Sequence, residues 1–255
     1  MNKNSHILEV VRLSKSFDGV KAVDDVSFTV KAGTITTIIG PNGAGKTSLF
    51  NVLGGFVRQT RGNILFDGIR IDGFSPSKRT SVGLGRMWQD IRIFKNMTVI
   101  ENLMVSRKNH PGESVFNCFF QHRKVRRIED DTREKAIKIL KSVRLIELQD
   151  DPARELSYGQ QKLVALDRLL MNDAKLLMLD EPTSGVNPVM IDEILEAVKK
   201  LVELGKTVLM IEHNLPKALG VSDWVYVMDE GRIEMSGTPS DVWKDKELRE
   251  IYFGV

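Results

Sequence analysis

The chain has 255 residues, of which 42% are hydrophobic and 28% charged, and this suits one large α/β domain with an ample core. The net charge of +3 is too small to indicate nucleic acid as a partner, and a single cysteine, Cys118, excludes an internal disulfide and a cysteine-based metal cluster. No apolar run approaches the ~20 residues of a membrane span, and the first residues lack the apolar stretch of a signal peptide. If the protein works at a membrane, we therefore expect other chains to supply the spans.

The N-terminal part of the chain predicts an antiparallel sheet. Residues 7–13 and 22–30 alternate apolar and polar side chains, which is typical of strands with one solvated face. Residues 63–66 predict another short strand, closed by the turn pair Asp67-Gly68.

A phosphate-binding loop lies between these strands. The pattern G-x-x-x-x-G-K-[ST] is matched by Gly40, Pro41, Asn42, Gly43, Ala44, Gly45, Lys46 and Thr47. A β-branched run at 35–39 predicts a buried strand before the loop, and the residues from Ser48 onward predict a helix after it. Backbone N–H groups and the helix N-terminus would face phosphate oxygens, Lys46 would reach the β- and γ-phosphates, and Thr47 would ligate Mg²⁺.

The middle of the chain predicts a helical subdomain, at about 97–160, inserted into the α/β core. Apolar residues recur there at helical spacing. The basic run 122–127 is either a solvated helix face or a contact with anionic lipid or a membrane subunit. Ser157, within Leu156–Gln161, predicts an N-cap and hence a second anion site. The chain thus has two helix N-termini that could bind phosphate but no obvious arginine finger. This combination favours a site shared by two subunits.

The second half of the chain predicts a parallel core with an acidic pair at its edge. The apolar runs 176–179 and 207–211, joined by an amphipathic helix at 191–202, indicate a βαβ crossover. Asp180 and Glu181 follow the first of these strands, where Asp180 would hold Mg²⁺ and Glu181 would orient or deprotonate the attacking water. His213 follows the second strand, near the expected γ-phosphate, although a structural histidine fits the spacing equally well. Residues 225–228 and 232–236 predict an edge hairpin, and 239–252 a terminal helix.

Taken together, these motifs resemble the ATP-binding subunit of an ABC transporter over nearly the whole chain, from Ile7 to Val255. The resemblance implies an α/β fold, the P-loop NTPase ABC cassette, in which 1–255 form one domain with a parallel core sheet, an N-terminal antiparallel β subdomain and the inserted α-helical subdomain. It also implies that Phe17 stacks on adenine and that Gln89 joins the Mg²⁺ site to the helical subdomain. The implied cofactors are ATP and Mg²⁺. The ATP-binding residues it implies are those of the phosphate-binding loop with Ser48 and, from the signature LSYGQQ, Ser157, Gly159 and Gln160.

The resemblance further implies a head-to-tail dimer, with a homo- or heterotypic second ATPase subunit, that drives integral membrane permease subunits. The segment 184–187 resembles the loop that crosses to the partner subunit, here called the crossing loop. The chain departs from the family pattern at Tyr158, where the signature usually has glycine, and at Asn187, where the crossing loop usually has aspartate. Both variants, with segments such as 51–68 and 91–105, resemble the first ATPase subunit of branched-chain amino acid importers. This implies a peripheral position on the cytoplasmic face of the inner membrane and, indirectly, an exported solute-binding protein.

Three alternatives stay open from the sequence. A cassette that imports urea or short amides would have nearly the same sequence. A soluble cassette without a transport role, such as one for iron–sulfur assembly, shares the architecture. A non-hydrolytic nucleotide switch would release almost no phosphate.

Overall fold

The computed structural model describes residues 6–108 and 122–245, and its chain divides into two compact units. The first unit comprises 1–89, 174–184 and 198–255, and the second comprises 90–173 and 185–197. Several sequence-based expectations fall outside the described residues, namely Cys118, the segment 109–121 of the helical insert and the last part of the helix expected at 239–252.

The described strands are distributed over two sheets of the first unit. They are β1 (His6–Phe17), β2 (Val20–Lys31), β3 (Ile35–Ile39), β4 (Arg61–Phe66), β5 (Ile69–Arg70), β6 (Leu84–Met87), β7 (Leu176–Asp180), β8 (Thr207–Ile211), β9 (Trp224–Asp229) and β10 (Arg232–Gly237). The smaller sheet has the order β2-β1-β4-β5 and is antiparallel throughout, as predicted for the N-terminal strands.

The larger sheet has the order β10-β9-β3-β8-β7-β6. Its strands from β9 to β6 are parallel, and β10 closes one edge as the antiparallel partner of β9. Every residue of β3, β7 and β8 is buried, which is why these strands consist mainly of apolar and β-branched residues and do not alternate with polar ones. The predicted crossover and edge hairpin are confirmed, whereas β5 and β6 were not predicted.

The described helices have the following bounds: α1 (Lys46–Leu53), α2 (Pro76–Val82), α3 (Val99–Met104), α4 (His122–Ser142), α5 (Tyr158–Met171), α6 (Pro188–Glu203), α7 (Leu215–Leu219) and α8 (Pro239–Lys244). Short 3₁₀ turns lie at Ile146–Leu148 and Ala153–Glu155. Helix α8 is the described part of the predicted terminal helix, while α2 and α7 were not predicted.

The core of the first unit joins its two sheets through α1. Apolar residues of α1, such as Leu49 and Phe50, are completely buried in one cluster with residues of both sheets. Burying a side chain of this size stabilises the fold by about 1.5–3 kcal/mol. Arg79 of α2 fixes the other end of α1, because its buried guanidinium donates to the carbonyls of Val52 and Leu53 at 2.7 and 2.6 Å. The phosphate-binding loop is thus followed by a helix that is held at its C-terminal end.

The second unit is built around α3, α4 and α5, which pack on one another. Helix α3 begins at a capping box formed by Thr98 and Glu101. The fully buried Asn102 binds the backbone N–H and carbonyl of Phe94 at 2.8 and 2.9 Å, so it holds the segment before α3 against that helix. This unit contains the helices that the sequence predicted within 97–160.

Candidate functional site

Four neighbouring parallel strands of the first unit end at the same edge of the sheet. The strands β3, β8, β7 and β6 are adjacent in that order, and each is followed directly by a polar segment. The carboxyl ends of parallel strands form the crevice where open α/β sheets bind ligands. The polar segments are the phosphate-binding loop after β3, His213 after β8, Glu181 after β7 and Gln89 after β6.

Two glycines allow the phosphate-binding loop to approach neighbouring backbone closely. A Cβ at Gly40 would lie 2.0 Å from the Met228 carbonyl oxygen, and one at Gly45 would lie 2.1 Å from that of Ala22. Gly45 also has a φ of +94° as the N-cap of α1, a conformation that side chains disfavour. The strand–loop–helix order predicted from the sequence is confirmed, because β3 precedes the loop and α1 begins at Lys46.

The Lys46 ammonium lies inside the loop. Its Nζ donates to the carbonyl oxygens of Gly40 and Pro41 at 2.7 and 2.8 Å. Burial lowers the pKa of Lys46, while the nearby carboxylates Glu181 and Asp180 act in the opposite direction. The loop therefore holds a cation in a buried position, facing the acidic residues that end β7.

Asp180 is nearly fully buried at the end of β7, and its two carboxylate oxygens differ in their surroundings. Oδ2 accepts a hydrogen bond from Arg86 Nη2 at 2.9 Å. Oδ1 is buried and has no hydrogen-bond partner within the part of the chain that the structure describes. Burial raises the pKa of Asp180, and the Arg86 guanidinium partly offsets this effect.

This unpartnered oxygen fits a magnesium ligand. Mg²⁺ in nucleotide sites is held by one or two carboxylates together with phosphate oxygens and waters, rather than by a cage of protein ligands. The described residues contain no cluster of three or more His, Cys, Asp or Glu side chains that could hold a metal. Magnesium that is bound largely through phosphate oxygens and waters does not need such a cluster. Asp180 and the Thr47 hydroxyl in the first turn of α1 are donors of the kind that such a site would use.

Glu181 connects the ends of β6 and β8. Its Oε2 accepts a hydrogen bond from Gln89 Nε2 at 2.9 Å, and its Oε1 is hydrogen-bonded to His213 Nε2. The Glu181 side chain is 12% exposed and that of His213 38%, so both can reach a bound ligand. The structure thus brings together Glu181 and His213, which the sequence places near the γ-phosphate, with Gln89, which the resemblance places at the Mg²⁺ site.

Glu212 was not predicted as part of this site. It is buried, and its carboxylate accepts hydrogen bonds from both the backbone N–H and the hydroxyl of Thr183, each at 2.9 Å. Burial raises the pKa of Glu212, and the two bonds from Thr183 counter that shift. Glu212 therefore fixes the turn that carries Glu181. No motif indicates this role, because the two partners are 29 residues apart in the sequence.

Phe17, the residue expected at the adenine, is the last residue of β1 and pairs with Val20 across a tight turn. Its ring is 42% exposed, and Lys15 Nζ lies 4.6 Å from the ring centroid. An exposed aromatic ring on the antiparallel sheet is a surface on which a planar base can stack.

The signature segment lies in the second unit. Ser157 is the N-cap of α5 and forms a capping box with Gln160: Ser157 Oγ accepts from Gln160 N at 3.3 Å, and Gln160 Oε1 accepts from Ser157 N at 2.9 Å. The predicted N-cap is therefore confirmed. Gly159 is buried against Met190 of α6, where a Cβ would lie 2.7 Å from Met190 Cε.

Tyr158, the residue that departs from the usual signature, packs against the crossing loop. A Cβ at Gly185 would lie 3.3 Å from Tyr158 Cε1, and Gly185 has a φ of +74°. Lys162 Nζ lies 5.4 Å from the centroid of the tyrosine ring. The tyrosine ring thus packs against Gly185 of that loop.

The loop geometry, the buried cation and the acidic strand end define a nucleotide-binding protein of the phosphate-loop class. A family model described as "ABC transporter" matches residues 23–184, and this chain belongs to that family of ATP-binding cassettes. The predicted family and fold are confirmed.

Curated relatives cover almost the whole chain. It is 38% identical to a "probable branched-chain amino acid transport ATP-binding protein LivG" of Archaeoglobus fulgidus, over 97% of this chain and 95% of the relative. It is 37% identical to a "high-affinity branched-chain amino acid transport ATP-binding protein BraF" of Pseudomonas aeruginosa, over 97% and 98%. Among solved structures, the ADP conformation of an ATP-binding cassette of an ABC transporter has a TM-score of 0.84 at 38% identity, covering 98% of this chain and 99% of that one.

Across residues 6–108 and 122–245, none of the helices combines the length and the apolar character that crossing a bilayer requires.

Proposed function

We propose that this chain binds and hydrolyses Mg²⁺-ATP and thereby powers the import of branched-chain or related amino acids. The observation that carries the proposal is the convergence of Lys46, Asp180 and Glu181 at one edge of the sheet, with a buried Asp180 oxygen that has no hydrogen-bond partner among the described residues. Membership of the ABC transporter family and the named functions of the relatives that cover almost the whole chain point to the same activity.

The phosphate-binding loop and α1 hold the triphosphate. The loop amides and the Lys46 ammonium face the β- and γ-phosphates, and Phe17 stacks on the adenine. Thr47, Asp180 and Gln89 hold the metal, whose chemistry when bound is to neutralise charge on the β- and γ-phosphate oxygens. The flanking Ser48 extends the loop at the first turn of the helix.

Glu181 acts as the general base toward the attacking water. Its carboxylate already accepts hydrogen bonds from Gln89 and His213, so its orientation is fixed from two strand ends before a substrate arrives. A base held in this way can accept the proton of a water positioned in line with the γ-phosphorus. His213, which is partly exposed, is placed to contact the γ-phosphate as well.

A second ATPase subunit completes each site. The capped helix end at Ser157, with Gly159 and Gln160, faces the nucleotide held by the partner's phosphate-binding loop. The signature keeps its serine and its second glycine on either side of Tyr158. We therefore expect that the tyrosine, although unusual at this position, does not prevent hydrolysis. Closure and reopening of this dimer drive integral permease subunits, with an exported solute-binding protein as an indirect partner. The chain then acts peripherally, on the cytoplasmic face of the inner membrane.

Hydrolysis is tested by comparing Glu181→Gln with the unchanged protein at saturating Mg²⁺-ATP. Glutamine keeps the size of the side chain and one of its two acceptor oxygens but cannot take a proton, so we expect phosphate release to fall about 10²–10⁴-fold while ATP still binds. Glu234→Gln, an exposed residue of β10, is the matched control. An undiminished rate in Glu181→Gln would overturn the assigned base, and negligible release by the unchanged protein would favour a nucleotide switch.

The transported solute is tested by reconstitution. The chain is co-expressed with candidate permease subunits and a candidate second ATPase, and uptake of leucine, urea and acetamide into vesicles is compared. ATP-dependent uptake of leucine supports the proposal, and uptake of urea or acetamide instead identifies a short-amide importer. Co-purification with soluble partners alone would contradict a transport role.

A further inference from the structure

The buried Arg86 side chain joins three parts of the nucleotide site. Its Nη2 donates to Asp180 Oδ2 at 2.9 Å, and its Nη1 donates to the Phe50 carbonyl oxygen and to Asn51 Oδ1 at 3.2 and 2.9 Å. The guanidinium carbon lies 3.9 Å from the centroid of the Trp88 ring. The arginine and aspartate side chains are only 5% and 4% exposed, so this contact is shielded from water.

Each of these contacts is with an element that carries a site residue. Asp180 ends β7, Phe50 and Asn51 belong to the helix that follows the phosphate-binding loop, and Trp88 immediately precedes Gln89. A planar guanidinium has donors in a fixed fork and also stacks on aromatic rings, which lysine cannot reproduce. Arg86 is thus suited to hold the aspartate at one orientation relative to the helix and to Gln89.

We propose that Arg86 is a positioning residue that makes Asp180 a one-oxygen metal ligand. Because the arginine occupies Oδ2, only Oδ1 is left to face a cation, and Oδ1 is the buried oxygen without a partner among the described residues. Mg²⁺ demands near-ideal octahedral geometry, so a carboxylate free to rotate or to bind through both oxygens would hold it less well. The inference rests on the proposed Mg²⁺-ATP site.

The second buried arginine of the first unit offers a matched control. Arg79 is 1% exposed and binds carbonyls of the same helix, at Val52 and Leu53, but the structure gives it no contact with Asp180. A variant of Arg79 disturbs the helix without touching the aspartate. An effect seen for Arg86 but not for Arg79 therefore points to the contacts that distinguish Arg86, which include those with Asp180, Trp88 and the Asn51 side chain.

The test measures the affinity of the full chain for a fluorescent ATP analogue twice, once with Mg²⁺ and once with EDTA. The ratio of the two affinities reports how strongly the metal and the nucleotide are coupled. For Arg86→Lys we expect the ratio to fall about 10–100-fold, as for other residues that orient a metal ligand, while the affinity in EDTA stays within about threefold. For Arg79→Lys we expect a lower melting temperature and an unchanged ratio.

The possible outcomes distinguish failure of the Mg²⁺-ATP site from failure of the role assigned to Arg86. A ratio of one in the unchanged protein would contradict the Mg²⁺-ATP site itself. A ratio above one that is retained in Arg86→Lys, or lowered equally in Arg79→Lys, would overturn the role of Arg86 alone. If Arg86→Lys fails to fold, Trp88→Leu replaces it, since this change removes the stacked ring and leaves the hydrogen bonds. We expect it to lower the ratio about threefold, and an unchanged ratio would again count against the inference.

Discussion

Asp167, in the middle of α5, predicts an unusual dependence of stability on pH. The residue is 2% exposed, and its Oδ2 has no hydrogen-bond partner among the residues that the structure describes. Burial raises the pKa of this carboxyl well above its ordinary value, since ionisation would place a charge in an apolar surrounding. We expect that Asp167→Asn, which is neutral at every pH, becomes more stable relative to the unchanged protein as the pH rises.

The sign and size follow from proton linkage. At a pH below the ordinary carboxyl pKa of about 3.9, Asp167 is protonated in both the folded and the unfolded state and contributes no pH dependence. Above that pH the unfolded state releases the proton while the folded state keeps it, so the free energy of unfolding falls with rising pH. The slope approaches 1.4 kcal/mol per pH unit, roughly, and the decline ends once the pH exceeds the raised pKa of the folded state. Each kcal/mol corresponds to about 2–4 °C in melting temperature for a chain of this size.

The assay is thermal unfolding of both proteins, in half-unit steps from pH 4.5 to 8. The quantity of interest is the change in the difference between the two proteins, because the cost of burying the asparagine amide does not vary with pH. Asp131→Asn, at an exposed position of α4, controls for general charge effects. Parallel curves for Asp167→Asn and the unchanged protein would show that the buried carboxyl is ionised or compensated in the folded state, and the reasoning would be wrong.

Three further changes probe the nucleotide site. His213→Ala removes the hydrogen bond to Glu181 Oε1 and the proposed γ-phosphate contact, and we expect phosphate release to fall about 10–100-fold with a smaller loss of ATP affinity; an equal loss of ATP affinity would show that His213 acts through binding alone. Thr183→Val leaves the buried Glu212 Oε2 without its hydroxyl donor and should lower the free energy of unfolding by about 1–3 kcal/mol in urea titrations. Gly45→Ala should abolish binding of the fluorescent nucleotide, because its Cβ would lie 2.1 Å from a backbone oxygen, whereas Gly43→Ala, with no atom within 4 Å, should retain part of it.

The elements that could be predicted from the sequence are those whose burial produces a recognisable pattern of apolar residues. The strands β3, β7 and β8 are buried on both faces, and so their β-branched or apolar runs stand out in the sequence. Strand β6 was missed because Leu84–Met87 is only four residues long and contains a glycine and an arginine. Helix α2 was missed for a similar reason, since Pro76–Val82 is short and polar and has no apolar face to reveal it.

The residues of the candidate site that lie at the ends of recognisable strands could be predicted from the sequence. Asp180, Glu181 and His213 lie within two residues of the ends of two apolar runs, so their proximity follows from two parallel strands being neighbours. Arg86 could not be assigned in this way because its partner Asp180 is 94 residues away and its own strand was not recognised. Pairs of this kind depend on register between strands, which a single sequence does not reveal.

The turn after β7 explains how two consecutive carboxylates acquire different surroundings. Successive residues of a strand point to opposite faces, yet both side chains are needed at one edge of the sheet. Glu181 leaves the strand conformation with a φ of +50°, and its N–H remains bonded to the Ile211 carbonyl at 3.0 Å. A left-handed conformation costs a residue with a side chain about 1–2 kcal/mol, which must be offset by neighbouring contacts. The two hydrogen bonds from Thr183 to the buried Glu212 are placed to do so, and they tie the turn that carries Glu181 to the residue that follows β8. The orientation of Glu181 is therefore a property of the β7–β8 pair as a whole, and a change at Glu212 or Thr183 should alter hydrolysis without contacting the nucleotide.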